Sequence, residues 1–291
     1  MKKFTAISVI VLIAAVFLIL VAGASDESVF IKKASEIRVL SGGYNGGVVS
    51  PAYIKTLPAP VKKFAAFIGI AGKPMIDSAA VSHSGEFRPS QDGPWFKING
   101  KYHLTSKMPS FIWRGVINMA PFFNMGATDS YFNGNGRMHI KLMSMFTLQD
   151  SRGGVMNKAS LERMLTECLL IPAVLFDKNI ITWEKGGANS AYAVIKDAGM
   201  TARALVVFNQ DGSIKSMKLS RNRQEGEALV PREWVGYSGV FKDYGGYMLP
   251  SYMEGAWIAD GKEMPYVKFT INKAVFITSA ADNKTEAPPA H

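Results

Sequence analysis

The sequence predicts an α+β fold in which a curved antiparallel β-sheet wraps one long helix. Three Asp-Gly pairs, at 92–93, 211–212 and 260–261, lie between runs that are rich in β-branched and aromatic residues. Such pairs accept the positive φ angles of tight hairpin turns, so they indicate antiparallel neighbours. One broad apolar stripe at helical spacing interrupts the runs and predicts a helix that is buried against the sheet.

The first segment, Phe4 to Ala24, has 21 residues and no charged side chain. A helix of this length is able to cross the hydrocarbon core of a bilayer. Lys2 and Lys3 precede it, so we expect the rest of the chain to lie outside the cytoplasmic membrane, in the bacterial cell envelope. The Ala-Gly-Ala sequence at 22–24 also fits a signal-peptide cleavage site, which leaves a secreted periplasmic domain as the alternative.

Composition divides the chain into four segments. Residues 1–24 are the membrane anchor or signal segment, and residues 25–56, with a glycine-rich run at 41–47, are predicted to be a tether. Residues 57–278 are predicted to form a single domain, because all-β domains of this size are often undivided. Residues 279–291 are polar and contain two prolines, and we expect a disordered tail there.

Two helices are predicted inside the domain. The first is short, follows two prolines and carries an apolar face made of Val61, Phe64, Ala65 and Ile68. The second is capped by Ser160, continues through 161–176 and is ended or kinked by Pro172. It contains the only cysteine, Cys168, which we expect to be buried and inert because no basic neighbour lowers its pKa.

Eight β-rich runs predict strands, at 78–88, 110–119, 137–149, 191–196, 201–209, 213–220, 253–259 and 266–276. The run 137–149 is apolar on much of both faces, since Met138, Ile140 and Leu142 alternate with a second set of residues. That second set is His139, Lys141, Met143 and Met145. A strand of this kind is expected where one face meets the core and the other meets a helix, a cavity or a ligand.

The sequence offers little for catalysis. The histidines lack the spacing of a zinc-binding helix, no Gly-x-Ser-x-Gly motif is present, and Gly134-Asn135-Gly136 is typical of a turn. We therefore predict no metal and no cofactor. A hydrolase would draw a catalytic pair from four carboxylates, Asp129, Asp150, Glu167 and Glu254. Turns and salt bridges also explain them, and Arg163 is the expected partner of Glu167, four residues later.

The formal net charge is +10, and it is +8 without the two N-terminal lysines. Such an excess either keeps the domain soluble or attracts anionic headgroups, so the membrane is the expected partner. The sequence contains no dense tract of lysine and arginine and no nucleic-acid-binding motif, so nucleic acid is not expected to bind.

Apolar bulk is the stronger signal, with fifteen methionines, seventeen phenylalanines and five tryptophans. These side chains fill a core or line a cavity, where the flexible thioether of methionine adapts to a ligand. A cavity is predicted to be lined by Trp113, Phe122, Phe123, Tyr131, Met138, Leu165 and Trp183. Its polar anchors are predicted to be Lys141, Arg163, Glu167 and Arg221, whose cations would meet a phosphate or carboxylate headgroup.

Several short motifs occur in an order that is found in a bacterial family. They are Leu57-Pro58-Ala59-Pro60-Val61, Gly85-Glu86-Phe87, Pro109-Ser110-Phe111-Ile112-Trp113-Arg114, Asp129-Ser130-Tyr131 with Gly134-x-Gly136, the helix 161–172 with Glu167, Pro231-x-x-Trp234 and Glu254-Gly255-Ala256-Trp257. From about Leu57 to Phe276 the chain resembles an uncharacterised family of exported or membrane-anchored bacterial proteins. It departs from that family after Trp183, where the family tends to carry acidic residues and this chain has Glu184 followed by Lys185.

That family is similar in fold to the periplasmic lipoprotein carriers of the LolA, LolB and LppX type. The resemblance implies a sheet curled into an open half-barrel, with helices that close its concave side over an apolar cavity. It also implies non-enzymatic binding or carriage of a lipid or a lipoprotein acyl chain. The alternatives are a structural or interaction protein of the cell envelope with a filled core, and an envelope hydrolase that uses paired carboxylates.

Overall fold

The computed structural model describes residues 2–44, 47–121, 123–225 and 228–278, and the side chains of residues 2–16 and 224 lie outside this description. The helices are α1 (Lys2–Ser41), α2 (Pro51–Thr56), α3 (Ala59–Phe67) and α4 (Gly154–Glu167). The strands are β1 (Ile76–Phe87), β2 (Phe96–Thr105), β3 (Ser110–Ala120), β4 (Phe123–Phe132), β5 (Asn135–Leu142), β6 (Phe146–Arg152), β7 (Ile181–Lys185), β8 (Ser190–Asp197), β9 (Met200–Phe208), β10 (Ile214–Glu225), β11 (Ala228–Ser238), β12 (Phe241–Tyr244), β13 (Tyr247–Pro250), β14 (Tyr252–Ala259) and β15 (Lys262–Thr278).

Thirteen of the described strands form one antiparallel sheet, in the order β6-β5-β4-β3-β2-β1-β15-β14-β11-β10-β9-β8-β7. Strands β12 and β13 form a separate hairpin. The last strand, β15, pairs with β1 on one side and β14 on the other, so it joins two halves of the sheet. We call β1–β6 the first half and β7–β11 with β14 the second half.

Helix α4 lies on the concave face of this sheet. It contacts β4, β5 and β6 in the first half and β8, β9, β10 and β11 in the second half. A helix reaches strands so far apart in the sheet order only when the sheet curls around it. The predicted half-barrel that wraps a helix is therefore confirmed.

The long helix differs from its prediction at both ends. Helix α4 begins at Gly154, so Ser160 is a buried residue within the helix and not its N-cap. It ends at Glu167, and two 3₁₀ helices follow it, Cys168–Leu170 and Pro172–Phe176. Proline has no backbone N–H and its ring clashes with the preceding turn, which is why the α-helix does not continue. Cys168 is buried as predicted, and burial raises the pKa of its thiol.

The short predicted helix matches α3. Val61, Phe64 and Ala65 are buried, and so is Ile68 just after the helix. The Phe64 ring lies about 6 Å from the rings of Phe176, Phe208 and Phe241, with centroid distances of 6.1, 6.0 and 6.0 Å. Helix α3 therefore closes one end of the core.

The Asp-Gly pairs behave differently from one another. Asp260 and Gly261 have φ angles of 50° and 72° and form the two-residue turn between β14 and β15, as predicted. At 211–212 only the glycine has a positive φ, and at 92–93 neither residue does, because longer connections join those strands. Ala198 and Gly199 form a tight turn with φ angles of 47° and 76° that the prediction missed, since alanine rarely adopts this conformation.

The predicted strand 137–149 is two strands, β5 and β6. Met143 and Ser144 have positive φ angles of 54° and 59° and form the turn between them. Along β5, Met138 and Ile140 face the concave side of the sheet, whereas His139 and Lys141 face α1 on the outer side. The apolar face of β5 thus meets the concave side of the sheet, and its polar face meets α1.

Helix α1 continues into the segment that was predicted to be a tether. Phe30, Ala34 and Ile37 are buried against Ile112 of β3, and α2 follows within the same segment. The predicted membrane segment 4–24 lies within α1, mostly at residues whose side chains are outside the description. No helix in the described part of the chain is long and apolar enough to cross a membrane. The predicted tail at 279–291 lies outside the described residues.

Candidate functional site

A partly open cavity of about 290 Å³ lies between α4 and the concave face of the sheet. Both halves of the sheet contribute to its wall, which is mainly apolar. Five methionines and three tryptophans line it, namely Met125, Met138, Met156, Met217, Met253, Trp113, Trp234 and Trp257. Methionine adapts its shape and tryptophan supplies a rigid surface, so this wall suits an elongated apolar ligand.

Two of these tryptophans lie over a glycine that follows two positions later. A Cβ atom on Gly115 would lie 2.4 Å from Cζ2 of Trp113, and one on Gly236 would lie 2.4 Å from Cη2 of Trp234. No other residue has room at these positions, since any side chain would collide with the indole. The glycines allow both rings to lie along the sheet, which leaves the cavity in front of them open.

On one side of the cavity, the guanidinium of Arg163 of α4 contacts three polar side chains. Its Nε donates to Oε1 of Glu167 at 3.0 Å, one Nη contacts Oδ2 of Asp129, and the other Nη donates to the hydroxyl of Tyr102 at 3.0 Å. Its guanidinium also lies 4.6 Å from the ring of Trp113. Burial opposes the charge, but the tyrosine and the two carboxylates outweigh it and hold the pKa of Arg163 well above its ordinary value.

The acidic partners of Arg163 are unequal. Burial raises the pKa of Asp129, and the positive charges of Arg163 and Arg221 oppose that rise. The Oδ1 atom of Asp129 is buried and has no hydrogen-bond partner among the described residues. Glu167 accepts a second hydrogen bond, from the hydroxyl of Tyr102 at 3.0 Å. Burial, together with Glu167, raises the pKa of that hydroxyl, so Tyr102 remains a neutral donor.

Arg221 of β10 lies on the opposite wall and is not engaged in this way. Its guanidinium lies 4.7 Å from the ring of Trp234 and 5.8 Å from the ring of Trp257. The Nε atom of Arg221 is buried without a hydrogen-bond partner in the described part of the chain. Arg223, two residues later, lies 5.5 Å from the ring of Trp257. This wall therefore presents two cations on an aromatic surface.

The structure brings five of the residues predicted for the site to the cavity wall, Trp113, Met138, Arg163, Glu167 and Arg221. Their role in binding remains a prediction. The salt bridge between Arg163 and Glu167 is confirmed, because the two side chains are 3.0 Å apart.

Phe122, also predicted for the site, lies outside the described residues. The remaining predicted site residues are described and do not line the cavity. Tyr131 and Leu165 are fully buried in the contact between α4 and the sheet. The indole N–H of Trp183 donates to the backbone oxygen of Leu175 at 2.8 Å, which holds the ring beside the 3₁₀ helix. Phe123 is 39% exposed.

Lys141 is also misplaced by the prediction, because it faces α1 and pairs with Asp26 at 2.9 Å. Alternation along β5 places it on the outer face of the sheet, opposite to Met138 and Ile140.

Tyr102, Trp234, Trp257 and Arg223 are cavity residues that the sequence analysis missed. The repeated spacing Trp113-x-Gly115 and Trp234-x-Gly236 was the available sign. It marks strand positions where a large ring needs a neighbour without a side chain.

The four candidate carboxylates do not form one cluster. Asp129 and Glu167 meet at Arg163, Glu254 lies on the cavity wall, and Asp150 pairs with Arg137 and with Arg152, which is mostly exposed. In the ranges that the structure describes, no group of three histidine, cysteine or acidic side chains is placed to hold a metal ion.

Comparisons with known proteins give solved structures of low similarity, and two of them are named below. A LolA superfamily protein from Nitrosomonas europaea has a TM-score of 0.40 and 8% identity, over 74% of this chain and 91% of that chain. A beta-barrel-like protein of the domain of unknown function DUF1849, from Brucella abortus, has a TM-score of 0.30 and 9% identity, over 70% of this chain and 99% of that chain.

No curated protein matches the sequence. A family of unknown function, DUF6920, matches residues 55–276, which is the segment over which the resemblance was found. The chain therefore belongs to the DUF6920 family.

Proposed function

We propose that this protein binds and carries a hydrophobic molecule with an acyl chain, without catalysing its conversion. The observation that supports this most is the cavity between α4 and the sheet, with its wall of methionine and tryptophan. Each buried CH₂ group contributes about 0.8 kcal/mol, so several methylenes offset the cost of ordering a flexible chain.

The glycines of the wall favour a cavity over a filled core. A side chain at Gly115 or Gly236 would push the indole of Trp113 or Trp234 away from the sheet and into the cavity. With glycine at both positions, the two rings lie against the sheet and the space in front of them stays open. This arrangement supports a ligand-binding protein over a structural protein with a filled core.

The proposed location is the outer face of the cytoplasmic membrane. It is based on the uncharged sequence from Phe4 to Ala24 and the lysines before it. Helix α1 continues from this segment to Ser41 and packs on the outer face of the sheet through Phe30. A retained segment would hold the half-barrel close to the bilayer, which is the source of lipid. A cleaved segment would release the domain into the periplasm with residues 25–41 still attached.

Native mass spectrometry of the full chain, extracted from membranes in a mild non-ionic detergent, tests the proposal. We expect a population that carries the added mass of a lipid. Ala127→Phe adds a ring at the cavity wall and should abolish this population. Ala188→Phe, in the exposed loop between β7 and β8, is the matched control and should retain it. A bare chain in all three proteins would contradict the proposal.

An envelope hydrolase is the second candidate, because Asp129 and Glu167 meet on the cavity wall. Arg163 binds Oδ2 of Asp129 and Oε1 of Glu167, and the buried Oδ1 atom of Asp129 has no hydrogen-bond partner among the described residues. Hydrolysis of generic esters and glycosides by the wild type and by Glu167→Gln distinguishes the two functions. A rate that falls on substitution supports the hydrolase, and equal rates remove Glu167 from consideration.

A further inference from the structure

The two sides of the cavity differ in charge. On the α4 side, Arg163 is bound to Asp129 and Glu167, so this group has a formal charge of −1 (one cation and two anions). On the opposite side, alternation along β10 places Arg221, Arg223 and Glu225 on one face of the sheet. Arg232 of β11 is the register partner of Arg221 and shares that face. This second group has a formal charge of +2 (three cations and one anion).

The single carboxylate of the second group is already occupied. Arg232 binds both oxygens of Glu225, with Nε–Oε1 and Nη2–Oε2 distances of 2.8 and 2.8 Å. Arg223 is 4.0 Å from the same carboxylate, at the limit of an ion pair. Arg221 forms no ion pair within the described residues, and its Nε has no hydrogen-bond partner there. The positive charge of Arg221 is therefore available to a ligand.

The other carboxylates near Arg221 have partners of their own. Glu162 of α4 accepts from the backbone N–H of Asn222 at 3.0 Å and lies 3.6 Å from Nζ of Lys158. Glu254 accepts from the hydroxyl of Tyr252. Asp129 is close enough for its pKa to respond to Arg221, but one of its oxygens is held by Arg163.

An aromatic side chain contacts both cations of the cavity wall. The guanidinium groups of Arg221 and Arg223 lie 5.8 and 5.5 Å from the same ring, that of Trp257. A ring attracts a cation at such distances, so Trp257 helps to hold both guanidinium groups at the cavity wall. A guanidinium that covers an indole with its face keeps its N–H edge free, and that edge matches a carboxylate or phosphate.

The apolar part of the wall is continuous with these cations. Ile214 and Met217 line the cavity earlier on β10, so the strand changes from apolar to cationic along its length. We propose that the cavity takes an amphiphile with an anionic head, a carboxylate or phosphate attached to an acyl chain. The head lies on Arg221 and Arg223, and the chain lies along Met217 and the other methionines. This inference depends on the proposed function and adds the class of headgroup and the residues that recognise it.

Quenching of tryptophan fluorescence by brominated lipids tests it. The probes are stearic acid and stearyl alcohol, each dibrominated in mid-chain, added to the full chain in non-ionic detergent at mildly alkaline pH. For Arg221→Gln we expect the Kd of the acid to rise about tenfold, as the loss of one charge-assisted hydrogen bond predicts, and that of the alcohol to stay within about twofold. The Kd of each probe is compared between variants and not between probes. The partition of a probe into detergent is the same for every variant, so it does not affect the comparison.

Arg203→Gln is the matched control. Arg203 is exposed on β9 and pairs with Glu184 at 2.9 Å, so its substitution removes the same charge from outside the cavity. It should leave both probes unchanged. An equal effect of Arg221→Gln on the acid and the alcohol would overturn the inference. So would displacement of the acid by millimolar inorganic phosphate, which would indicate an anion site independent of the chain.

The remaining outcomes of the quenching experiment also support or contradict the inference. If Arg221→Gln binds neither probe, Arg223→Gln is tested in its place. Weaker binding of the acid alone would support the inference. Weaker binding of both probes would contradict it. If neither probe binds to the wild type, the proposed function itself fails. A different result is that the wild type binds the alcohol and the acid equally tightly. In that case the proposed function is supported and only the assignment of an anionic headgroup is wrong.

Discussion

In each half of the sheet a tryptophan covers a glycine and contacts an arginine, which comes from α4 in the first half and from β10 in the second. The two arginines differ in their partners. Arg163 lies 4.6 Å from Trp113 and binds two carboxylates and a tyrosine hydroxyl. Arg221 lies 4.7 Å from Trp234 and forms no ion pair among the described residues. Aromatic contact alone therefore does not distinguish a cation held by ion pairs from one without them. The presence or absence of neighbouring carboxylates distinguishes the two arginines.

The outer faces of the halves differ as well. Helix α1 covers the first half through Phe30 and through Asp26 and Glu27, which pair with Arg114 of β3 at 3.1 and 3.0 Å. Strand β9 of the second half instead carries exposed polar residues such as Arg203 on that side. The first half is thus fastened on both faces, and the second half is the one expected to adjust to a ligand.

The largest expected effect is that of Arg163→Met on stability. It would leave Asp129 and Glu167 buried without their cation, so we expect the free energy of unfolding to fall by about 3–5 kcal/mol. Urea unfolding of the full chain, followed by circular dichroism, measures this. Arg221→Met is the control and should change stability by less than about 1 kcal/mol, since no described ion pair is lost. Similar losses for the two variants would remove the distinction between the arginines.

A somewhat smaller loss is expected at the outer face of the first half. Phe30 is 2% exposed and its ring lies 5.6 Å from that of His103, so Phe30→Ala should lower the free energy of unfolding by about 3 kcal/mol. Val29, the preceding residue, is 55% exposed, and Val29→Ala should have almost no effect. Equal values in urea unfolding would mean that α1 is not fastened to the sheet in solution.

Substitution of the cavity glycines should have an intermediate effect. Gly115→Ala and Gly236→Ala each push a Cβ atom into an indole, and overpacking of this kind destabilises by about 2 kcal/mol. The same variants should weaken binding of the brominated probes, because the displaced ring enters the cavity. Gly154→Ala is the control, since a Cβ there contacts nothing within 4 Å. If all three variants had wild-type stability and binding, the glycines would have no role in keeping the cavity open.

The smallest expected effect at neutral pH is that of the charge state of His83, which lowers stability only as the pH falls. His83 is buried, accepts from Nε1 of Trp113 at 2.9 Å and contacts Phe269. Burial, aided by the charge of Arg163, lowers the pKa of His83 to about 3. The unfolded chain takes up this proton near pH 6.5, so the stability present above that pH is lost as the pH falls toward about 3.

His83→Gln should remove a slope of up to about 1.4 kcal/mol per pH unit from urea unfolding measured across that range. Above about pH 7 the wild type and the variant should have parallel pH profiles, because His83 is then neutral in both states. Profiles that remain parallel down to about pH 4 would show that His83 does not carry this dependence.

The fold class and several local features were predictable because they depend on short-range chemistry. The positive φ angles at Asp260 and Gly261, the apolar face of α3 and the pairing of Arg163 with Glu167 each follow from residues fewer than ten positions apart. The start of α4 at Gly154 was not predictable in this way. Its N-cap, Gly153, has no side chain to mark it, whereas Ser160 has the chemistry of a cap but lies inside the helix.

The cavity was predicted in kind, but only part of its wall was identified. Met138 and Trp113 were identified because large apolar side chains on a two-faced strand are conspicuous. Tyr131 and Leu165 have the same character, yet they lie in the contact between α4 and the sheet. Which inward residue meets the helix and which meets the cavity depends on where α4 crosses the sheet. That position is a property of the whole curled sheet and not of any one strand.

Saturable quenching of tryptophan fluorescence by dibrominated stearyl alcohol tests the central claim most directly, because it reports occupation of the cavity irrespective of the headgroup. We predict that quenching of the wild type saturates at one alcohol per chain, and that Ala127→Phe shows only the linear quenching due to probe in the detergent. Linear quenching that is identical in the wild type and Ala127→Phe would contradict the claim that the half-barrel holds an acyl chain.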